Sequence, residues 1–206
     1  FSKYDMLQLQ ELTLNTNIIV LSDEVYEHII FDGDQHQSVC LFSDLKKRSF
    51  IVASFGKTFH NTGWKVGYAC APKELMLEFL KVHEFTVFSI HHPSQRALAQ
   101  YLSEPNHYQE LSELFQCKRD LFLNLIKASR FSFKPSKGTY FQALNFSKIS
   151  QENDYQLAKR LTKEKKIASI PFSVFNVNNL DEKMLRFCFA KTDETLVKAA
   201  EILNKV

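Results

Sequence analysis

Residues 50–70 read FIVASFGKTFHNTGWKVGYAC, and this stretch is the most informative part of the chain about its fold. An apolar run, Phe50–Ala53, is followed at once by small and hydroxyl residues around Lys57, and a second apolar run covers Val66–Ala71. Short, continuous apolar runs are typical of strands that are buried on both faces of a parallel sheet. The stretch therefore predicts a strand, a functional residue, a connection and a further strand.

The region before this stretch repeats the same arrangement. Residues 18–21 form another apolar run, which we expect to be a buried strand, and Asp23 and Tyr26 follow it directly. In open α/β sheets, ligands lie beyond the carboxyl ends of the strands, where Asp23, Tyr26 and Lys57 are expected. Because Asp23 and Tyr26 would point to opposite faces of a regular strand, we expect the chain to turn after Asp23.

Apolar periodicity divides the chain into two predicted domains. Helices are predicted at 1–14, 72–79 and 93–102. A long amphipathic helix over 107–129 is expected to lead into the second domain. The elements predicted after it are strands at 131–133, 139–144, 167–170 and 184–190, and helices at 155–165 and from the cap Thr192. We predict an α/β fold in which residues 1–105 belong to a large domain with a mainly parallel sheet, and residues 106–206 form a small α+β domain.

Composition and charge argue against several classes of protein. The 206 residues are 45% hydrophobic and 24% charged, as in soluble globular proteins. The net charge of +3 is small and dispersed, so no nucleic-acid partner is expected. No apolar run approaches the roughly 20 residues that cross a bilayer, so no membrane partner is expected, and no signal-peptide pattern is visible. The four cysteines are widely spaced, which predicts no metal site and indicates reduced thiols in a cytoplasmic protein.

Gly56, Lys57 and Thr58 match the end of a phosphate-binding P-loop, but the start of that motif is missing. The motif needs a glycine five residues before the Gly-Lys pair, and Ile51 occupies that position. A lysine can instead form an imine with an aldehyde cofactor. Pyridoxal 5′-phosphate then requires a carboxylate for its ring nitrogen, a donor for its ring oxygen, and cations or hydroxyls for its phosphate.

The sequence contains each of these groups. Asp23 would keep the ring nitrogen protonated, and Tyr26 would bond the ring oxygen. Ser54 and Lys65 would hold the phosphate. Taken alone, each residue has an ordinary interpretation, because an Asp-x-x-Tyr sequence is usually a surface loop and a single lysine is usually solvated. Their joint occurrence after strand patterns favours the cofactor.

Four segments resemble class I/II aminotransferases of fold type I, whose large domain binds pyridoxal phosphate. They are DEVY (23–26), SFGKTF (54–59), TGWKVGY (62–68) and LRFCFAK (185–191). Residues 137–141 and 170–175 are also similar to the methionine aminotransferase and kynurenine aminotransferase (glutamine transaminase K) branch. The resemblance covers the whole chain. Because members of this family are about twice as long, the resemblance implies that the chain corresponds to their C-terminal half.

The resemblance also implies roles for individual residues. Lys57 would be the Schiff-base lysine and the proton shuttle, while the aspartate, tyrosine and serine named above keep their cofactor contacts. Arg186 would clamp the α-carboxylate of the substrate with its bidentate fork. Phe88 and Ser89 would reach the pocket of the neighbouring subunit, with ordinary core packing as the alternative for Phe88. Lys65 stands where many relatives carry arginine, so this position keeps its positive charge but lacks the bidentate guanidinium of arginine.

The function implied by this resemblance is transfer of an amino group between an amino acid and a 2-oxo acid. Methionine, glutamine and aromatic amino acids are the implied substrates, and a homodimer is the implied assembly. Two alternatives stay open. Relatives with the same lysine, aspartate and arginine cleave C–S bonds by β-elimination, and a truncated chain could act only as a dimerisation or binding module.

Overall fold

The structure, a computed structural model, describes residues 1–206 and contains two compact units. Unit 1 comprises Phe1–His28 and Asp34–Leu111, and unit 2 comprises Ile29–Gly33 and Ser112–Val206. The predicted domain boundary at residue 105 stays a prediction. No helix in the chain combines the length and the apolar character that crossing a membrane requires.

Unit 1 contains a three-stranded sheet formed by Val20–Asp23 (β1), Ser49–Ser54 (β2) and Gly67–Cys70 (β3), in the order β1-β2-β3. β1 and β2 are parallel, as predicted, with Asp23 opposite Val52. β3 is antiparallel to β2, so the sheet formed by these three strands is mixed. The connection between β2 and β3 contains only short helical turns, and a parallel pairing would need a longer crossover.

Unit 1 contains the three predicted helices, of which the second is longer than predicted, together with short helices that were not predicted. They are Lys3–Thr13 (α1), Ser43–Lys46 (α2), Phe55–Thr58 (α3), Lys73–Thr86 (α4), His92–Tyr101 (α5) and Asn106–Gln109 (α6), with 3₁₀ turns at Val39–Leu41 and Thr62–Trp64. α1 begins with a capping box, in which the Ser2 hydroxyl accepts from the Asp5 N–H and the Asp5 carboxylate accepts from the Ser2 N–H. α4 begins directly after Pro72.

The core of unit 1 joins α1 to the sheet. Its buried members are Met6, Val39, Phe42 and Leu45, and Leu9, Val20 and Ile51 pack against them. The expectation that residues 18–21 are buried on both faces is wrong within this chain, since Ile18, Ile19 and Leu21 are exposed. β1 lies at the edge of the sheet, so no strand of the chain covers its outer side.

Unit 2 contains an antiparallel sheet formed by Phe141–Asn145 (β4), Ile170–Pro171 (β5) and Met184–Cys188 (β6), in the order β4-β6-β5. The strand predicted at 131–133 is reduced to a single bridge between Ser132 and Asn145. The remaining strands agree with the predicted α+β character of this part of the chain.

Three helices accompany this sheet. They are Leu111–Ile126 (α7), Asp154–Arg160 (α8) and Asp193–Leu203 (α9). The single helix predicted over 107–129 is interrupted at Glu110, which separates α6 from α7. α8 continues as a π-helical turn at Leu161–Lys165. α9 has the predicted cap, because the Thr192 hydroxyl accepts from the Thr195 N–H.

A buried arginine ties residues 29–33 to α7 within unit 2. Arg119 is only 3% exposed, and its two terminal nitrogens donate to the Asp32 carboxylate, both at 2.7 Å. Its guanidinium also donates to the Ser136 carbonyl at 2.8 Å and lies 4.9 Å from the centre of the Phe31 ring. The hydrogen bonds from Arg119 hold the pKa of the Asp32 carboxyl below its usual value. Such a bidentate pair satisfies a guanidinium that would be costly to bury alone.

Gly67 allows β3 to approach β2 closely. A Cβ at this position would overlap the Ala53 carbonyl oxygen. We expect Gly67→Ala to reduce the free energy of unfolding by about 1–3 kcal/mol, because either strand must shift to relieve the overlap. Urea denaturation followed by circular dichroism measures this change.

Gly63→Ala is the matched control, because no atom lies within 4 Å of a Cβ built at Gly63. Its stability should stay within about 1 kcal/mol of the wild type. Equal stability of Gly67→Ala and Gly63→Ala would contradict the steric argument.

Candidate active site

Lys57 lies in a single helical turn that begins where β2 ends. The Ser54 hydroxyl caps this turn by accepting from the Gly56 N–H at 3.1 Å. A Cβ at Gly56 would lie 2.8 Å from the Cα of Thr62, so glycine lets the turn pack on the segment that follows. Lys57 is half-buried, and none of the hydrogen bonds or ion pairs of the chain engages its amine.

Asp23 is the last residue of β1, and the chain turns immediately after it, as predicted. The Asp23 carboxylate accepts from the Val25 N–H at 3.2 Å, and Glu27 N–H donates to the Glu24 carbonyl at 3.0 Å. Tyr26 lies in this turn and is half-buried. The carboxylate of Asp23 stays exposed.

The parallel pairing brings the aspartate and the lysine to one edge of the sheet. Asp23 is opposite Val52 in the ladder, and β2 ends two residues later at Ser54, directly before the turn that carries Lys57. Carboxyl ends of neighbouring parallel strands form the edge at which α/β sheets bind ligands. The proposed roles of these residues stay predictions.

Lys65 follows the 3₁₀ turn at Thr62–Trp64 and has a left-handed backbone, with φ of 56°. Its side chain is exposed. A non-glycine residue in this conformation costs about 1–3 kcal/mol, and such strain is concentrated at functional sites. The role of Lys65 in holding a phosphate stays a prediction.

Phe88 and Ser89 follow the end of α4. Phe88 is 81% exposed, so core packing, the alternative for this side chain, is wrong within the chain. Its backbone is also left-handed, with φ of 64°, at a position after a helix where glycine is the usual residue. A strained and exposed aromatic residue fits a binding role better than a packing role. Ser89 is exposed beside it.

Sequence reasoning assigned no role to Glu24, which organises the end of β1. Glu24 is 5% exposed and accepts from the Ser22 hydroxyl at 3.0 Å and the Val39 N–H at 3.1 Å. Its carboxylate also lies 2.8 Å from the His36 Nε2. Burial raises the pKa of Glu24, but hydrogen bonds, with that of His36 the largest, bring it below its usual value. No sequence pattern predicted these partners, because they lie on a loop without periodicity.

In unit 2, Arg186 lies in the middle of β6 between two aromatic rings. The guanidinium carbon is 4.1 Å from the centre of the Phe141 ring and 4.9 Å from that of Phe175. The Arg186 Nε is buried and has no hydrogen-bond partner. A buried donor without a partner is rare and calls for a ligand or an ion. A cleft of about 460 Å³, to which Ile170 and Cys188 contribute, opens beside this side chain.

A comparison with protein families matches residues 1–203 to the family described as aminotransferase class I and II. The methionine aminotransferase of Escherichia coli is 42% identical over 203 residues, which are 98% of this chain and 53% of that protein. The kynurenine–oxoglutarate transaminase of Dictyostelium discoideum is 31% identical, over 100% of this chain and 53% of that protein. The chain therefore spans about half the length of these relatives.

A comparison with solved structures also finds aminotransferases with the same fold. The structure of YbdL from Escherichia coli, which identified a methionine aminotransferase function, has a TM-score of 0.95 and 42% identity, and covers 100% of this chain and 55% of YbdL. N-succinyldiaminopimelate aminotransferase from Mycobacterium tuberculosis has a TM-score of 0.92 and 28% identity, and covers 99% of this chain and 54% of that protein.

The buried carboxylate of Glu24 predicts a stability difference that depends on pH. Because its pKa is lower in the folded state, Glu24 stabilises the fold above its unfolded pKa of 4.5, and this contribution is lost as the pH falls through the folded value. We expect Glu24→Gln to be about 1–3 kcal/mol less stable than the wild type near pH 7. The difference should shrink below about pH 4.5.

Chemical denaturation at several pH values measures this difference. Glu11→Gln is the control, since Glu11 is exposed, and it should match the wild type at each pH. A Glu24→Gln deficit that is the same at pH 7 and in acid would show that the ionised carboxylate is not responsible.

Proposed function

The chain belongs to the class I and II aminotransferase family. We propose that the protein is a pyridoxal phosphate-dependent aminotransferase that moves an amino group between an amino acid and a 2-oxo acid. The observation that carries this proposal is the position of Asp23 and Lys57. These residues follow neighbouring parallel strands at one edge of the sheet, which is where a cofactor of an α/β protein binds.

The residues at this edge fit the chemistry of pyridoxal phosphate, which this family uses. When bound, the cofactor supplies a ring that accepts electrons from the substrate carbon that loses its proton. Asp23 would hold the ring nitrogen and Tyr26 the ring oxygen. The hydroxyl of Ser54 and the ammonium of Lys65 would hold the phosphate.

Lys57 would hold the cofactor covalently through its Nζ. Its amine is half-buried and engaged by no group of the chain, so it is available for this bond. Once released by the substrate, the same amine would accept the proton from the substrate α-carbon as a general base. The short turn capped by Ser54 keeps this side chain at the end of β2 throughout.

Arg186 would bind the α-carboxylate of the substrate. Its fork suits a bidentate pair with a carboxylate, and its Nε lacks a partner. The Phe141 and Phe175 rings lie against the guanidinium and restrict its orientation. This strengthens a charge pair, because less ordering is needed when the carboxylate binds.

Substrate class and assembly complete the proposal. The names of the similar proteins support methionine and the aromatic amino acid kynurenine as donors, and glutamine is proposed from the sequence resemblance alone. We further propose a homodimer in which Phe88 and Ser89 contact the site of the partner subunit, which is supported by the exposure and the strained backbone of Phe88. The four free cysteines are compatible with a cytoplasmic location.

Borohydride trapping tests the role of Lys57. The chain is incubated with pyridoxal phosphate, reduced with sodium borohydride and mapped by peptide mass spectrometry. We expect the label to be concentrated on Lys57, because exposed lysines elsewhere lack the other cofactor groups.

Lys57→Ala should lose this label, while the control Lys73→Ala, which changes an exposed lysine at the start of α4, should keep it. A label distributed evenly over surface lysines, or one that persists in Lys57→Ala, would argue against a cofactor site.

Steady-state kinetics with methionine and a 2-oxo acid test the role of Arg186 in the complete enzyme. We expect Arg186→Ala to raise KM by roughly 30-fold or more, corresponding to about 2–5 kcal/mol for a desolvated charge pair. Arg186→Lys should lie between this variant and the wild type, because it keeps the charge and loses the fork. The control Arg96→Ala alters an exposed residue of α5 and should leave KM unchanged. An unchanged KM in Arg186→Ala would remove the assignment.

A further inference from the structure

A closed set of contacts in unit 1 surrounds the turns that carry Tyr26 and Lys57. It consists of one carboxylate and seven aromatic side chains, here called the aromatic cluster: Glu27, His28, Phe55, Phe59, Tyr68, Tyr101, His107 and Tyr108. Phe55, Phe59 and Tyr68 lie within the segments that resemble the family, but no role has been given above to any side chain of the aromatic cluster.

One side of the aromatic cluster holds the helical turn of Lys57. Phe55 and Phe59 flank this lysine, and their rings stack with centres 6.1 Å apart. The Phe55 ring also contacts the Tyr68 ring at 5.6 Å, and Phe59 contacts Tyr101 edge-on at 5.2 Å. Aromatic pairs at these distances stabilise a fixed relative orientation. The turn is thereby held between β3 and α5.

The other side of the aromatic cluster holds the turn that follows Asp23. The Tyr68 hydroxyl donates to the Glu27 carboxylate at 2.5 Å. His28, the next residue, lies against the Tyr108 ring at 4.9 Å, and its Nε2 is 3.7 Å from the same carboxylate. The turn is therefore attached to β3 by one hydrogen bond and to α6 by one ring contact.

Tyr101 and His107 close the aromatic cluster. Their rings stack with centres 3.7 Å apart, and the His107 Nδ1 lies 2.8 Å from the Tyr101 carbonyl oxygen. His107 precedes Tyr108, so the contacts run from Glu27 through the lysine turn and back to His28 without a gap. A closed network resists displacement of any one member, because moving one element breaks two contacts.

We infer that Glu27 and Tyr68 are positioning residues whose hydrogen bond fixes Tyr26 relative to the turn that carries Lys57. The inference rests on the proposed function for the roles of Tyr26 and Lys57. It explains how the side chains of these two residues are held in a fixed relative position. Tyr26 immediately precedes Glu27, so a shift of the Glu27 carboxylate also moves the tyrosine.

Tyr68 is suited to act as a donor. The residue is 37% exposed, and partial burial together with the hydrogen bond to the Glu27 carboxylate raises the pKa of its phenol, so the hydroxyl stays protonated at neutral pH. The titratable groups that face it are Glu27, Glu24 and Cys70. A charged acceptor makes this bond stronger than one between neutral groups.

Hydrogen exchange of the 206-residue chain without cofactor tests the alignment directly. Tyr68→Phe removes the hydroxyl and keeps the ring against Phe55. We expect exchange in residues 25–28, including the Glu27 N–H that is bonded to Glu24, to accelerate about tenfold or more, with β1 unchanged. Tyr155→Phe, an exposed tyrosine of α8, is the control and should leave these rates unchanged.

Glu27→Gln provides a second variant in case Tyr68→Phe unfolds. It keeps an acceptor without charge, so the acceleration should be smaller than in Tyr68→Phe but measurable. Exchange rates in residues 25–28 within about twofold of the wild type, in whichever variant stays folded, would overturn the inference.

A spectroscopic measurement with pyridoxal phosphate separates positioning from general stability. We expect the pH midpoint of the visible absorbance to rise in Tyr68→Phe, because a misplaced Tyr26 no longer bonds the ring oxygen, and to return toward the wild type in Glu27→Gln. An unchanged midpoint together with unchanged exchange refutes the alignment. A wild-type chain without any visible band counts against the proposed function alone, since hydrogen exchange still decides the present inference.

Discussion

Parallel pairing of β1 with β2 determines where the candidate cofactor groups leave the sheet. With Asp23 opposite Val52, the two strands end at the same edge, and each is followed at once by a tight turn. One turn is stabilised by the Asp23 carboxylate and the other by the Ser54 hydroxyl. A shift of one residue in this register would turn the side chains of one strand to the opposite face.

Several groups around this edge preserve the register. Glu24 is buried next to Asp23 and accepts from three groups, which attaches the end of β1 to residues 36–39. Gly67 lets β3 lie close to the Ala53 carbonyl on the other side of β2. The hydrogen bonds of Glu24 therefore constrain the end of β1, and the close approach of β3 at Gly67 constrains β2 on its other side.

Unit 2 contains two arginines, Arg119 and Arg186, whose guanidinium groups have different partners. All three nitrogens of the buried Arg119 guanidinium donate, to Asp32, to Asp120 and to the Ser136 carbonyl, so this group stabilises the scaffold and has no nitrogen left for a ligand. Arg186 differs because aromatic rings restrict its guanidinium while its buried Nε keeps an unused donor. The two arginines carry the same charge and differ in their partners, and the binding role of Arg186 stays a proposal.

Local sequence signals were enough to predict the order of the main elements and the candidate site residues. Apolar runs before Asp23 and Lys57 predicted β1 and β2, and the Thr192 cap predicted the start of α9, because these signals are local. The antiparallel pairing of β3, the exposure of Ile18, Ile19 and Leu21, and the partners of Glu24 and Tyr68 became visible only in the folded chain. These features depend on contacts between residues that are distant in the chain, and such contacts leave no periodicity in the sequence.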